Sequence, residues 1–241
     1  MKQIKLIFEF KSEYFTSEAY KTLRTNIQFC GADVKVIALT SCEAHEGKTT
    51  VCLDLARAFA EAGKKVMLID TDMRQSVSVS RYTGENGVKG LSQLLSGQAT
   101  IEDVKYNTDA GFDIIFAGKF PPNPAELLGS GLFRELIENE KPYYDYILID
   151  TPPLGLVIDA AVIATACDSA IIVIGADMVS YKKVEAVKSQ LQKAGCRILG
   201  AGLNHVKHKG DRYYKKYYGK AGYSYGYGYG DISNAEASKK E

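Results

Sequence analysis

Residues 34–55 read VKVIALTSCEAHEGKTTVCLDL, and the fold is decided in this stretch. The run VKVIALTS (34–41) is short, aliphatic and rich in β-branched residues, without a period-2 alternation. That is the composition of a strand buried on both faces. From Lys48 onward the pattern turns helical, giving a helix over 48–62. The connecting loop, SCEAHEGKTT, fits the phosphate-binding spacing GxxxxGK[ST], except that Cys42 stands where the first glycine is usual. Such a loop must aim successive backbone N–H groups at phosphate oxygens from a helix N-terminus. Gly47 lets the backbone approach closely, Lys48 reaches the β and γ phosphates, and Thr49 offers a hydroxyl to Mg²⁺. Cys42 is read as a small filler rather than a reactive thiol.

Outward from this junction, the same alternation repeats. Further apolar runs lie at 65–70, 112–118, 144–150, 169–175 and 197–204, with helical patterns at 90–96, 124–140, 159–166 and 179–194. The sequence predicts an α/β fold, a doubly wound, mostly parallel sheet. Ligands in such sheets bind at the carboxyl ends of the strands. Two runs end there in acids: VMLIDTDMR gives Asp70 and Asp72, and YILIDTPP gives Asp150. One strand-end aspartate is often only a cap for the next helix. Three at the edge that carries a phosphate loop point to magnesium and to proton transfer. On an extended backbone Asp70 and Asp72 point the same way.

The rest of the composition narrows the classes. The chain has 241 residues, 46% hydrophobic and 24% charged, with a formal net charge of +1, so no basic field favours nucleic acid. Five cysteines form no CxxC pair and suit a reducing compartment. The N-terminal MKQIKLIFEFKSE lacks the continuous apolar core of a signal peptide, and no stretch approaches the roughly 20 apolar residues of a membrane span. The expected location is cytoplasmic. Residues 14–29 predict one more helix, with Ser17 as its N-cap and Ala19, Leu23 and Ile27 on one face. After Asn204 the chain becomes Gly, Tyr and Lys; eight of its sixteen tyrosines fall between Tyr213 and Tyr229. Residues 1–204 are thus read as one P-loop domain and 205–241 as a flexible tail.

These motifs together resemble the bacterial tyrosine kinases of capsule and exopolysaccharide synthesis, over essentially the whole chain. SCEAHEGKTT, VMLIDTDMR and YILIDTPP match the family's Walker A, Walker A′ and Walker B motifs. Arg74, two residues after Asp72, is the most discriminating piece, PPNPAELL (121–128) looks like a recurrent element, and the terminal tyrosine cluster is the family's hallmark. The resemblance implies a P-loop fold related to the partition ATPases. It implies an ATP site of Glu46, Gly47, Lys48, Thr49 and Thr50, with Asn204 placed either against the base or merely ending a strand. Mg²⁺ would be shared by Thr49, Asp70 and Asp150, with Lys48, Asp70, Asp72 and Asp150 as the catalytic set and Asp72 or Asp70 as the base. The tail tyrosines Tyr213, Tyr214, Tyr217, Tyr218, Tyr223, Tyr225, Tyr227 and Tyr229 would accept phosphate.

Glu18, Lys21 and Arg24 resemble the family's self-association motif Glu-x-x-Arg-x-x-Arg, with lysine in place of the first arginine, and imply a ring-like homo-oligomer. An ordinary solvated helix face is the alternative. A separate transmembrane activator of polysaccharide synthesis and a protein-tyrosine phosphatase would be partners, holding the chain at the inner face of the membrane. The P-loop has no lysine before Lys48, which argues against its rival, a partition-type switch ATPase without kinase activity. By itself the tail fits a substrate, a nucleic-acid stacking tract or a passive segment; with the P-loop and paired acids the substrate reading leads.

Overall fold

The computed structural model describes residues 2–8, 14–74, 83–84 and 87–206, all within a unit running Met1–Val206. The tail tyrosines lie outside the described residues.

Strands β1 (Lys2–Ile4), β2 (Val36–Ser41), β3 (Val66–Asp70), β4 (Lys105–Thr108), β5 (Asp113–Ile115), β6 (Tyr146–Asp150), β7 (Ser169–Gly175) and β8 (Arg197–Asn204) form a single sheet. Their order is β1-β4-β5-β3-β6-β2-β7-β8, and every neighbouring pair is parallel except β4 with β5. The mostly parallel sheet expected from the sequence is present. Its central strands lack a visible alternation because both faces are covered. In β2, Ile37 and Leu39 enter one core while Val36 and Ala38 enter the cores on the other side. Each such buried aliphatic side chain contributes about 1.5–3 kcal/mol.

Helix α1 (Tyr14–Gln28) packs on α2 (Lys48–Glu61). It starts before Ser17, which is therefore inside the helix rather than its cap, and Ala19 is exposed. The face that packs is Tyr20, Leu23 and Ile27. Helix α2 ends where Gly63 takes φ 75° and donates its N–H to Ala60 O. Phe59 of α2 stacks on Tyr146 of β6, centroids 4.0 Å apart. The other α-helices among the described residues are α3 (Leu91–Leu95), α4 (Ile101–Val104), α5 (Pro124–Leu128), α6 (Gly131–Glu140), α7 (Asp159–Ala164) and α8 (Tyr181–Lys193).

The single helix expected over 124–140 is two. Gly129 and Ser130 interrupt it: Ser130 adopts an extended ψ of 154°, and a Cβ on Gly129 would come 3.1 Å from Ala125 O. Strands β1 and β4 and helix α4 were missed in the sequence. Lys-Tyr-Asn-Thr of β4 is polar, and its hairpin to β5 is set by Gly111 at φ 87° and by Thr108, whose hydroxyl and N–H both donate to Phe112 O.

Candidate active site

Register brings the strand-end acids together. Asp150 of β6 lies between Asp70 of β3 and Leu39 of β2, all three at one level of the sheet. Two residues beyond Leu39 the P-loop begins. The two threonines that follow the acids lace these strand ends: Thr71 donates from N–H and hydroxyl to Asp150 O (2.9 and 2.6 Å), and Thr151 likewise to Leu39 O (3.1 and 2.9 Å). Their signal was visible in the sequence as the repeated Leu-Ile-Asp-Thr.

Lys48, the first residue of α2, directs its ammonium onto Asp150 Oδ1 at 2.5 Å, with both side chains almost wholly buried. Burial alone would discharge the lysine, but Asp150 overrides it and holds the ammonium up to about 12. Asp72 adds to the same field. Cys52, one turn along α2, donates its thiol to the same oxygen at 3.5 Å, and burial pushes that thiol well above its usual range.

Asp70 ends its strand and Asp72 lies just beyond it. The strand stops at Asp70, the chain turns with Met73 N–H on Thr71 O (2.8 Å), and Asp70 Oδ1 accepts the Asp72 N–H at 3.0 Å. The extended-backbone premise fails because Asp72 lies beyond the strand. Asp70 is buried and Asp72 is partly open. Arg74 then grips Asp159 at the head of α7 two-pronged, at 2.8 and 3.1 Å, and Asp159 is 0% exposed. Asp159 was missed in the sequence; no spacing rule links residues 85 apart.

The P-loop itself is held by Glu46 and Asn204. Glu46 Oε1 accepts the Glu43 N–H (2.8 Å), Oε2 accepts the Gly175 N–H at the end of β7 (3.1 Å), and its carbonyl accepts Asn204 Nδ2 from the end of β8 (3.0 Å). Both side chains expected at the nucleotide thus touch the loop. Gly47 takes φ 82°, and a Cβ there would lie 2.1 Å from Asn204 Nδ2, so glycine is required twice over. Thr49 and Thr50 sit half-buried on the first turn of α2. Cys42 is buried, its thiol pushed up to about 11 by burial and then by Glu46 and Glu43. Its carbonyl packs against Gly155, where a Cβ would be 2.1 Å away. Lys183 of α8 pairs with Glu43 on the outside of the loop.

Glu18 and Lys21 pair along α1 at 2.7 Å, and Arg24 Nη1 donates to Ala58 O of α2 at 2.7 Å. A separate cleft of about 610 Å³, lined by Asp33, Lys35, Glu138, Lys141 and Asp168 among others, opens at the amino ends of β2 and β7, away from this chemistry.

Residues 34–198 match a family model described as an AAA domain. The tyrosine-protein kinase CpsD of Streptococcus agalactiae is 43% identical over 192 residues, 79% of this chain and 84% of that one. The chain belongs to the bacterial tyrosine kinases of capsule and exopolysaccharide synthesis. Tyrosine-protein kinase wzc of Salmonella typhi is 38% identical over 78% of this chain but only 27% of its own length. Among solved structures, the kinase domain of Escherichia coli tyrosine kinase ETK superposes with a TM-score of 0.77 at 33% identity, covering 88% of this chain and 80% of that one. The chain is a protein-tyrosine kinase with a P-loop that binds ATP.

Proposed function

We propose that this kinase phosphorylates the tyrosines of its own C-terminal tail, Tyr213 to Tyr229, between neighbouring copies. The observation that carries the reading is the row of Asp70 and Asp150 facing Lys48 at the head of α2. Gly47, Lys48, Thr49 and Thr50 hold the phosphates at the helix N-terminus, where backbone N–H groups are free to point at an anion. Lys48 leaves Asp150 for the β and γ phosphates, which offer it more negative charge. Asp72, nearer to solvent than Asp70, accepts the tyrosine proton as the hydroxyl attacks in line. Asn204 keeps the loop in shape from the end of β8.

The donor set suits magnesium, which typically takes one or two carboxylates plus substrate phosphates. Among the described residues no group of three or more acids, histidines or cysteines forms a metal site alone. Asp150, Asp70 and Thr49 would hold the ion, and it would neutralise phosphate charge in the transition state.

The relatives support the wider setting. The match to wzc occupies only a quarter or so of that longer chain, in keeping with a kinase that works beside a separate membrane component. No helix among the described residues is long and apolar enough to cross a membrane. A transmembrane activator at the inner face of the membrane, a ring of copies built through Glu18, Lys21 and Arg24, and a phosphatase that resets the tail complete the proposal. Tail phosphates, each about −1.5 to −2 in charge, then loosen the ring and regulate polysaccharide export.

Incubation of the full chain with Mg-ATP and detection of phosphotyrosine tests this, with Lys48→Met as control. Phosphotyrosine on tail peptides is expected. Phosphate release without phosphotyrosine overturns the proposal and leaves a switch ATPase.

A further inference from the structure

Among the described residues the β8 edge of the sheet is uncovered by any strand, and β8 itself is eight residues long. Edge strands are normally blunted by charge, proline or shortness. From Ile198 to Asn204 this one reads ILGAGLN, with no charge and no proline. Leu203 is 63% exposed.

Two glycines give the edge a shape. A bulge after Ala170 resets the register, so Gly200 lies level with Ile171, Gly202 with Val173 and Asn204 with Gly175. Residues level with one another share a face, so Gly200, Gly202 and Asn204 form one row on the side of α2. A Cβ at Gly200 or Gly202 would meet nothing within 4 Å. Glycine within a strand often marks a bulge, as at Gly200 with its φ of 158°, or a place where a ligand or another backbone comes close, as the open side of Gly202 allows; aromatic rings laid across edge glycines restore the missing packing. The row ends at Asn204, which holds the P-loop. An extended peptide on this edge is therefore led to the phosphate site.

The chain contains a segment of matching period. Tyr223, Tyr225, Tyr227 and Tyr229 alternate with Ser224, Gly226 and Gly228. In an extended strand its rings recur about every 6.6–6.8 Å on one face, the spacing of Gly200 and Gly202. We propose that the outer edge of β8 is a strand-addition site for Tyr223–Tyr229 of a second copy of this chain, with tyrosine rings seated over Gly200 and Gly202. Main-chain hydrogen bonds supply affinity and the two glycine seats supply selectivity for an aromatic–small alternation. The choice of a second copy rests on the between-copies reading above. Docking makes the tail a substrate by position.

Hydrogen exchange read by mass spectrometry on the full chain, without ATP, tests it. Isotope-labelled copies with Tyr223, Tyr225, Tyr227 and Tyr229 each changed to Ser are mixed with excess unlabelled wild-type chain. In the mixture the 197–206 peptide of the labelled copies is expected to exchange about tenfold more slowly than alone. Adding Gly202→Val to the labelled copies fills a seat in open space and is expected to abolish the slowing. Unchanged exchange on mixing overturns the proposal, and so does slowing that survives Gly202→Val. Phosphotyrosine detection on the same samples after Mg-ATP separates the two readings: slowing without phosphotyrosine defeats tail phosphorylation alone, and phosphotyrosine without slowing defeats docking alone.

Discussion

Glu46 of the P-loop and Asp150 at the end of β6 are buried to the same extent, each 1% exposed, yet they are neutralised differently. Glu46 spends both carboxylate oxygens on backbone N–H groups, of Glu43 and Gly175. Asp150 holds the ammonium of Lys48. Backbone donors cannot leave without unfolding the loop. An ammonium on a four-carbon stem can, as soon as a phosphate competes for it. The site thus joins a fixed clasp to an exchangeable pair: the first fixes the shape of the loop, the second supplies the mobile charge.

Lys48→Met breaks the contrast most severely. It removes the charge meant for the phosphates, and kcat for phosphotyrosine formation is expected to fall about 10²–10³-fold, as when one preorganised electrostatic donor is lost. It also strands Asp150, and chemical denaturation is expected to show a loss of about 3–5 kcal/mol. Adding Asp150→Asn should recover part of that stability and none of the activity, because the two residues act as a coupled pair. Equal stability of the single and double variants would show that the pair does not matter.

Glu46→Gln is expected to behave otherwise. The amide turns a donor toward one of two backbone N–H groups, and the denaturation midpoint should fall by the equivalent of about 1–3 kcal/mol. Because the loss is in loop shape, KM for ATP should rise more than kcat falls. A drop in kcat alone would place Glu46 in the chemistry instead. Asn204→Ala removes one hydrogen bond of the same clasp, with an expected cost of about 1 kcal/mol and a smaller rise in KM.

The smallest effect is on pH. Lys48 is held above its ordinary value, so the stability it contributes is complete below about 10.5 and is lost as pH rises toward about 12. Between pH 7 and 9, wild-type chain and Lys48→Met should differ in unfolding free energy by a constant amount. A difference that shrinks in that range would contradict the pairing.

The centre of this fold was legible because its signals are local. The β2–loop–α2 junction, the acids ending β3 and β6 and the ends of α8 are each written within about 15 residues, where periodicity and spacing rules apply. What stayed hidden is made by distant residues. Glu46 stands at an unspecified position of the loop pattern and gains its role only because Gly175 and Asn204 arrive from strands 129 and 158 residues away. Arg74 stands within a local motif, but its partner Asp159 lies 85 residues further on, beyond any spacing rule. Asp72 lies past the end of β3, where the turn sets its backbone and strand periodicity no longer applies. Strands β1 and β4 have three and four residues, too few to show a period.

Complementation between two inactive chains tests the central claim most directly. A Lys48→Met chain keeps the proposed acceptor tyrosines and lacks the proposed phosphate lysine; a chain with all eight tail tyrosines changed to Phe keeps the site and lacks those acceptors. Neither alone should yield tail phosphotyrosine with Mg-ATP. Mixed, they are expected to place phosphotyrosine on the Lys48→Met chains, at an initial rate that rises with the concentration of the Phe chains. A mixture as silent as its components would contradict phosphorylation between copies.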